Sequence, residues 1–457
     1  MTSANVSNGT MTPRLRPGGH SLRPEEAMGF SAPLRILITG LFSANMALSI
    51  YLVRLGVGPL PVRVMFTLAA FVVIWAVRPR LLSDAVWLHR KAIGFILAAA
   101  VLATVVSFAN GIEAGVVLQQ VAEIFGQAVF GILIGYMLYC VCGVNTVVYV
   151  FVVTIFLSAV VAILQFLGFE PAWQAYLFLQ SLQPQSITEE MFWHDVRYRA
   201  LGLSYTPVHL GTQICIAFAA FYAYSIFRYG EQRVVRGDFW PLWIVFAVGL
   251  VGCVASGNRS PILGMAVFLF FFLVKRAPWT AVLIGLGAAA VVLFGDVLLE
   301  LLQSLGLRVL NTENSSSEGR TALRLFGILL FFDNPFGYGL NFDSTQYWWL
   351  HWQDVQNLEN PEAIMIHALH NYYLMVLNKN GFLVLPCFVF VGLLLWRNRI
   401  FALGLVPYLV HIFYHNDGPL QADFMFWYLY PLFQATYLKT LPTRSTVPLF
   451  VRRRLSK

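Results

Sequence analysis

Charge is what this chain has least of. Asp, Glu, Lys and Arg make up only 11% of its 457 residues, whereas an ordinary soluble domain is about a quarter charged. With 58% hydrophobic residues and a mean hydropathy of +0.69, too little polar surface remains to cover a water-facing core. Composition therefore excludes a soluble globular enzyme and points to lipid as the solvent. Cysteine is scarce as well. Cys140, Cys142, Cys215, Cys253 and Cys387 all lie in or beside apolar runs, and none has a partner in a long polar loop, which excludes a disulfide framework. Cys140-Val-Cys142 is a weak metal spacing and reads better as two helix-end thiols. A small-residue cleavage site is missing after the first apolar run, Leu34 to Val53, so that run reads as a retained span rather than a cleaved signal. Internal repeats and the inverted symmetry of transporters are also absent.

What is there in abundance is apolar sequence in blocks. Runs near 34–53, 61–77, 92–108, 118–139, 145–167, 207–227, 240–255, 260–274, 278–299, 372–395, 400–415 and 423–438 approach the ~20 residues a bilayer requires. The expectation is an all-α integral membrane protein of about twelve transmembrane helices. Lys and Arg orient it. With the N-terminus cytoplasmic, the inside segments ("RPRLLSDAVWLHRK", "RYGEQRVVRG", "KRAPW", "RNR" and both tails) hold 21 of the 30 basic residues, which places both termini cytoplasmic. The net charge of +8 is explained by that bias, and no nucleic-acid partner is expected. The organisation reads as a polar, disordered tail 1–33, spans one to five over 34–167, an outside loop 168–206, and spans six to nine over 207–300. A large outside loop 301–371, spans ten to twelve over 372–438 and a basic tail 439–457 complete it. Both loops are rich in aromatics, against disorder. Gly319 to Phe332 reads as an amphipathic or re-entrant helix that "DNPFGYG" ends.

Nine basic residues remain outside: Arg54, Arg63, Arg197, Arg199, Arg259, Arg308, Arg320, Arg324 and Lys379. Arg54 and Arg63 flank a tight turn and read as snorkelling anchors. Seven of the nine histidines, His194, His209, His351, His367, His370, His411 and His415, fall on the same side or at its boundary. Guanidinium forks suit phosphate oxygens and stay charged at any pH, and aromatic rings stack on sugar faces. A loop arginine taken singly is most often a solvated charge. Arg259 differs, because it sits in a turn of about four residues between two spans, where a charge near hydrocarbon is a functional candidate by default. His367 and His370, three apart, would share one helix face. That spacing also suits zinc, but without further ligands it is a poor metal signal, and His370 as a plain interfacial histidine is the competing reading.

Several motifs then converge. His370-Asn371 is followed after nine residues by Gly381, behind a large outside loop that precedes the tenth span. "RALGLSYTP" (Arg199 to Pro207), "SGNRSP" around Arg259 and "GRTALRLFG…NPFGYGLNF" (Gly319 to Phe342) stand in order with it. Together these resemble the bacterial O-antigen ligase/polymerase family, over roughly the fifth to the eleventh span; the first four spans carry no signature. The resemblance implies an inner-membrane glycosyltransferase, independent of metal and cofactor, with its active face in the periplasm. Its donor would be a glycan on undecaprenyl pyrophosphate. By motif, Arg199 and Arg259 resemble the arginines that hold the donor pyrophosphate. His370 is similar to the histidine that activates the acceptor hydroxyl, with Glu318, Asp343 and Asp354 as competing bases. Arg320 and Arg324 look like large-loop arginines that contact donor or acceptor, and Asn371 and His367 are expected to bind substrate beside them. Polymerisation of O-antigen or exopolysaccharide repeat units is the reaction implied, with a chain-length regulator and a flippase as partners. Ligation to lipid A-core is the alternative. A transporter or flippase of lipid-linked sugars is the alternative from another class, and a non-catalytic assembly partner a third.

Overall fold

The computed structural model describes residues 30–53, 55–57, 60–183, 199–276, 279, 315–416, 418–420 and 423–440. Within them the chain is helical apart from the two-residue strands Gly56–Val57 and Leu60–Pro61, which pair antiparallel. In sequence order the helices are α1 (Ala32–Tyr51), α2 (Val62–Val77), α3 (Arg80–Ala109), α4 (Ala114–Ile124), α5 (Phe130–Cys142), α6 (Val144–Phe166) and α7 (Glu170–Ser181). After residues 184–198 come α8 (Pro207–Tyr229), α9 (Glu231–Val235), α10 (Trp240–Ala255) and α11 (Arg259–Arg276). The remainder are α12 (Ser315–Asp333), α13 (Trp352–Val355), α14 (Ala363–Ile366), α15 (Tyr372–Asn380), α16 (Leu385–Arg397), α17 (Arg399–Ile412) and α18 (Phe424–Thr440).

Six helical stretches are long and apolar enough to cross a membrane: α1, α3, α4 continuing through a π-turn into α5, α6, α8, and α15 continuing into α16. With the helical architecture this makes the chain a multi-pass membrane protein. α2, α10 and α17 are apolar but shorter, at 16, 16 and 14 residues. At 1.5 Å per residue they fall short of a ~30 Å hydrocarbon core unless the bilayer thins around them. Apart from Trp279, the expected span at 278–299 lies outside the described residues, as do Arg54, Arg197, Arg308 and His194.

Lipid offers no hydrophobic drive between helices, so close packing has to hold them. α8 is the hub, with 94% of its apolar stretch buried. Phe218, Phe246, Phe268 and Tyr222 interlock edge to face around it, with Phe218 and Phe268 centroids 4.8 Å apart. Gly264 of α11 sits where an added Cβ would lie 2.7 Å from the Pro407 backbone of α17, and Gly211 of α8 would meet Asn258 and His411. Small residues here let α8, α11 and α17 converge. That convergence builds the site.

The contacts sort helix ends into two faces. On one, Arg78 lies over Phe30 and Lys439 donates to the Phe227 carbonyl, and Asn398 ties α17 to Tyr437 of α18. The other face gathers the starts of α8 and α11, the end of α17, and the segment 315–371. That segment folds on its own small core, in which Leu323, Phe326, Tyr338, Phe342, Ile364 and Leu369 are buried together. The amphipathic helix read from Gly319 to Phe332 is α12, which ends at Asp333 ahead of Asn334-Pro335.

Candidate active site

The segment 315–371 forms a cap that is clamped to the bundle by its glycine motifs. Tyr338 and Gly339 donate to the carbonyls of Asn378 and Lys379 (2.8 and 3.0 Å), and Phe382 donates to Pro335 (2.7 Å). Gly381 has φ +67° and Gly337 has φ +93°, conformations that only glycine adopts cheaply. A Cβ on Gly381 would stand 2.3 Å from the Phe336 backbone. Asn378 reaches back to the Gly327 carbonyl of α12 (2.9 Å), and Asn110 at the end of α3 holds the Gly337 carbonyl (2.9 Å). This knot fixes α12, which carries Arg320 and Arg324, against α15, just ahead of which lies His370.

Asn371 is buried and caps α15, its side-chain oxygen accepting from Leu374 N at 3.0 Å. The expectation of His367 and His370 on one helix face is corrected. His367 ends α14 in an extended conformation and His370 lies in the turn before Asn371, so the intervening chain is not helical. Their rings nonetheless stand 5.8 Å apart, with His367 exposed and His370 half-buried.

Two bundle segments are tied together on this face. The backbone after Arg199 is stapled by Gln165, whose side chain accepts from Leu201 N and Gly202 N (3.0 and 2.8 Å) and donates to the Gly202 carbonyl (3.0 Å). Ala200 N bonds Ala255 O at 3.4 Å, which brings the Arg199 segment beside the turn leading to Arg259. In that turn Asn258 donates to the Pro207 carbonyl (3.0 Å), tying the residue just ahead of α11 to the start of α8.

Arg320 is the electrostatic centre. Its charged neighbours are Arg324 and Arg259, and its guanidinium is held below its ordinary pKa by burial first and those two cations second. His370 is pushed down to about 4, by burial, then Arg320, then His367. Arg324 lies over the Tyr414 and Phe413 rings, 4.9 and 5.4 Å from their centroids. Among the described residues, the buried Nε of Arg320, Nε of Arg324 and Nδ1 of His370 have no hydrogen-bond partner. Among the described residues, no carboxylate figures among the neighbours that shift Arg320 or His370. Half-buried cations gathered this closely repel one another, so the cluster favours an anion.

The loop carboxylates are engaged elsewhere. Asp343 caps Thr345 (3.0 Å), and Asp354 bonds His351 (2.9 Å), which also meets Asp333 (2.5 Å). The Glu318 side chain lies outside the described residues. Among the described residues no three His, Cys, Asp or Glu side chains group as a metal-ligand set. Sequence reasoning put His209, His411 and His415 on this side without giving them a role. They stand at the start of α8, at the end of α17 and just beyond it, and His415 has His411, Arg320, His370 and His209 as its electrostatic neighbours.

The fold and site together define a class: a multi-pass helical membrane protein with arginines and histidines gathered beneath a folded loop at one face. A family model described as O-antigen ligase matches residues 244–389, about a third of the chain, which takes in Arg259, Arg320, Arg324 and His370. The match supports an O-antigen ligase/polymerase-like family, whose members are glycosyltransferase-like enzymes acting on lipid-linked glycans in a membrane. No curated protein matches the chain.

Proposed function

We propose that the protein polymerises undecaprenyl-pyrophosphate-linked oligosaccharide repeat units at the periplasmic face of the inner membrane, with both termini in the cytoplasm and about twelve spans. The observation that carries this reading is the Arg259–Arg320–Arg324 cluster around a neutral, partnerless His370 nitrogen. Diphosphate is the anion such a cluster suits, because several fixed guanidinium donors can share its oxygens. Undecaprenyl pyrophosphate is also a good leaving group, so the arginines stabilise charge as it develops, without reorganising. The acceptor hydroxyl attacks the anomeric carbon and the bond to pyrophosphate breaks. The hydroxyl proton passes to His370, and one displacement inverts the anomeric centre. In this scheme Arg199 and Arg259 hold the donor, Arg320 and Arg324 reach it from the cap, and His367 meets substrate at the exposed lip. Asn371 acts by fixing the turn that carries His370.

Ligation is the second reading, favoured by the description of the matching family model. Both reactions need the same donor grip and the same base. A transporter fits less well, since these cations collect at helix ends rather than at the bilayer midplane. Purified protein mixed with lipid-linked repeat units tests the proposal. A ladder of products means polymerase, and transfer to added lipid A-core means ligase. If neither product forms in the presence of any chain-length regulator and flippase encoded with it, the enzyme reading is contradicted.

A further inference from the structure

Arg324 is held by rings rather than by oxygen atoms. Its guanidinium lies 4.9 Å from the Tyr414 centroid and 5.4 Å from that of Phe413. Both rings belong to the chain just beyond α17, whereas Arg324 belongs to the cap, so the contact joins the two parts of the molecule. Arginines lie over rings elsewhere, Arg90 over Trp87 and Arg399 over Trp396. Those pairs are three apart in sequence, and a single turn of chain brings them together. Only tertiary folding can deliver Arg324 to Tyr414.

The rings are themselves tied down. Phe413 and Tyr414 stand 5.2 Å apart, edge to face, and Phe413 meets Tyr373 of α15 at 6.2 Å. The Tyr373 hydroxyl donates to the Leu409 carbonyl (3.2 Å). Tyr414 N donates to the His411 carbonyl (3.0 Å). On either side of the two rings, His411 and His415 each meet Ser260 Oγ of α11, at 2.9 and 3.0 Å. The shelf under Arg324 is thus fixed to α11, α15 and α17.

An aromatic partner suits this arginine better than an acid would. A carboxylate would hold Arg324 too, but it would take up N–H donors and cancel the charge that an anion must meet. A ring face attracts the cation through its quadrupole, spending no donor and cancelling no charge. Among the described residues the buried Nε of Arg324 has no hydrogen-bond partner. We infer that Tyr414, backed by Phe413, is the positioning residue for Arg324, holding its guanidinium for the diphosphate with the N–H donors unspent. This rests on the transfer reading above and adds to it the means by which the bundle sets a cap arginine. Tyr414 is also an electrostatic neighbour of Arg320, so its ring and its hydroxyl have to be tested apart. No bond is made or broken at Tyr414.

Binding of undecaprenyl pyrophosphate to the full-length protein in vesicles tests this as a double-mutant cycle. Tyr414→Leu should weaken binding roughly three- to thirtyfold, the range of a cation–π contact from exposed to desolvated. Tyr414→Phe, which keeps the ring, should restore it. In an Arg324→Ala background Tyr414→Leu should cost nothing further, because the tyrosine acts through the arginine. Unchanged binding in Tyr414→Leu, or an equal loss with and without Arg324, overturns the inference. So does a Tyr414→Phe protein as weak as Tyr414→Leu, which would assign the effect to the hydroxyl beside Arg320. A second measurement needs no lipid. With 15N-labelled arginine, the Nε proton of Arg324, assigned by its loss in Arg324→Lys, should resonate upfield under the ring current in the wild type and in Tyr414→Phe. It should return to the ordinary position in Tyr414→Leu, and an ordinary position in the wild type overturns the inference. If the wild type binds no undecaprenyl pyrophosphate, the transfer reading fails, and the resonance alone decides whether Tyr414 holds Arg324.

Discussion

At the scale of single residues, the account turns on why a histidine buried among arginines can act as a base. His370 is neutral down to about pH 4 because burial and Arg320 disfavour its charged form. Neutral is the form that accepts a proton. So kcat/KM, which reports the free enzyme, should hold level from pH 8 downward and fall only near pH 4, well below the ~6.5 of an ordinary histidine. A bound diphosphate neutralises the arginines and raises the imidazole pKa, so the acid limb of kcat should lie at higher pH than that of kcat/KM. Coincident limbs near 6.5 would contradict the assigned environment. Replacing Arg320 by Ala should remove one developing-charge donor and lower kcat by roughly 10²–10³-fold, measured as release of undecaprenyl pyrophosphate. His370, Arg259, Arg320 and Arg324 were legible in the chain because charge stands out against hydrocarbon and because their motifs resemble a known family. His411, His415 and Ser260 were not. Their partnership spans 151 and 155 residues, and nothing local in "PYLVHIFYHND" says that its histidines face a serine on another helix.

At the scale of elements, the site depends on two joints. One is the glycine knot between Pro335–Gly339 and Lys379–Phe382. Gly381→Ala combines a backbone conformation that essentially only glycine adopts, costing about 1–3 kcal/mol, with a Cβ 2.3 Å from the Phe336 backbone. It should loosen the cap, seen as faster proteolysis between residues 333 and 371 and lost transfer with membrane insertion retained. The other joint is the Asn371 cap. Asn371→Ala should cost about 1 kcal/mol and lower kcat, while Asn371→Asp keeps the cap and should recover most of it. Motif spacing located Asn371 and Gly381, but their structural duties were hidden. The demand for glycine comes from backbone some 45 positions earlier, and a helix-face reading of His367 and His370 missed the cap that ends the loop. Helix boundaries fared better: uninterrupted apolar runs admit few alternatives, as α6 and α8 illustrate. The 3₁₀ turn at Gly381–Val384 lies inside such a run and left no trace in hydropathy.

At the scale of the molecule, the bundle and the cap divide the work. α8, α11 and α17 meet through small residues and present Arg259, Ser260, His411 and His415. The cap folds on its own apolar core and lowers Arg320, Arg324 and His370 onto them. A diphosphate lipid held as proposed would meet cations from both parts at once, so substrate and cap would stabilise each other. Donor lipid should therefore protect the cap from protease in wild-type protein and fail to protect it in Arg320→Ala.

The central claim is that guanidinium groups hold the diphosphate while His370 removes the proton. The most direct measurement compares purified wild-type, His370→Ala and Arg259→Ala proteins for undecaprenyl pyrophosphate binding and for glycan transfer in the same vesicles. The account predicts that His370→Ala binds the lipid normally yet transfers roughly 10²–10⁴-fold more slowly, whereas Arg259→Ala loses binding and transfer together. Normal turnover in both variants would contradict it.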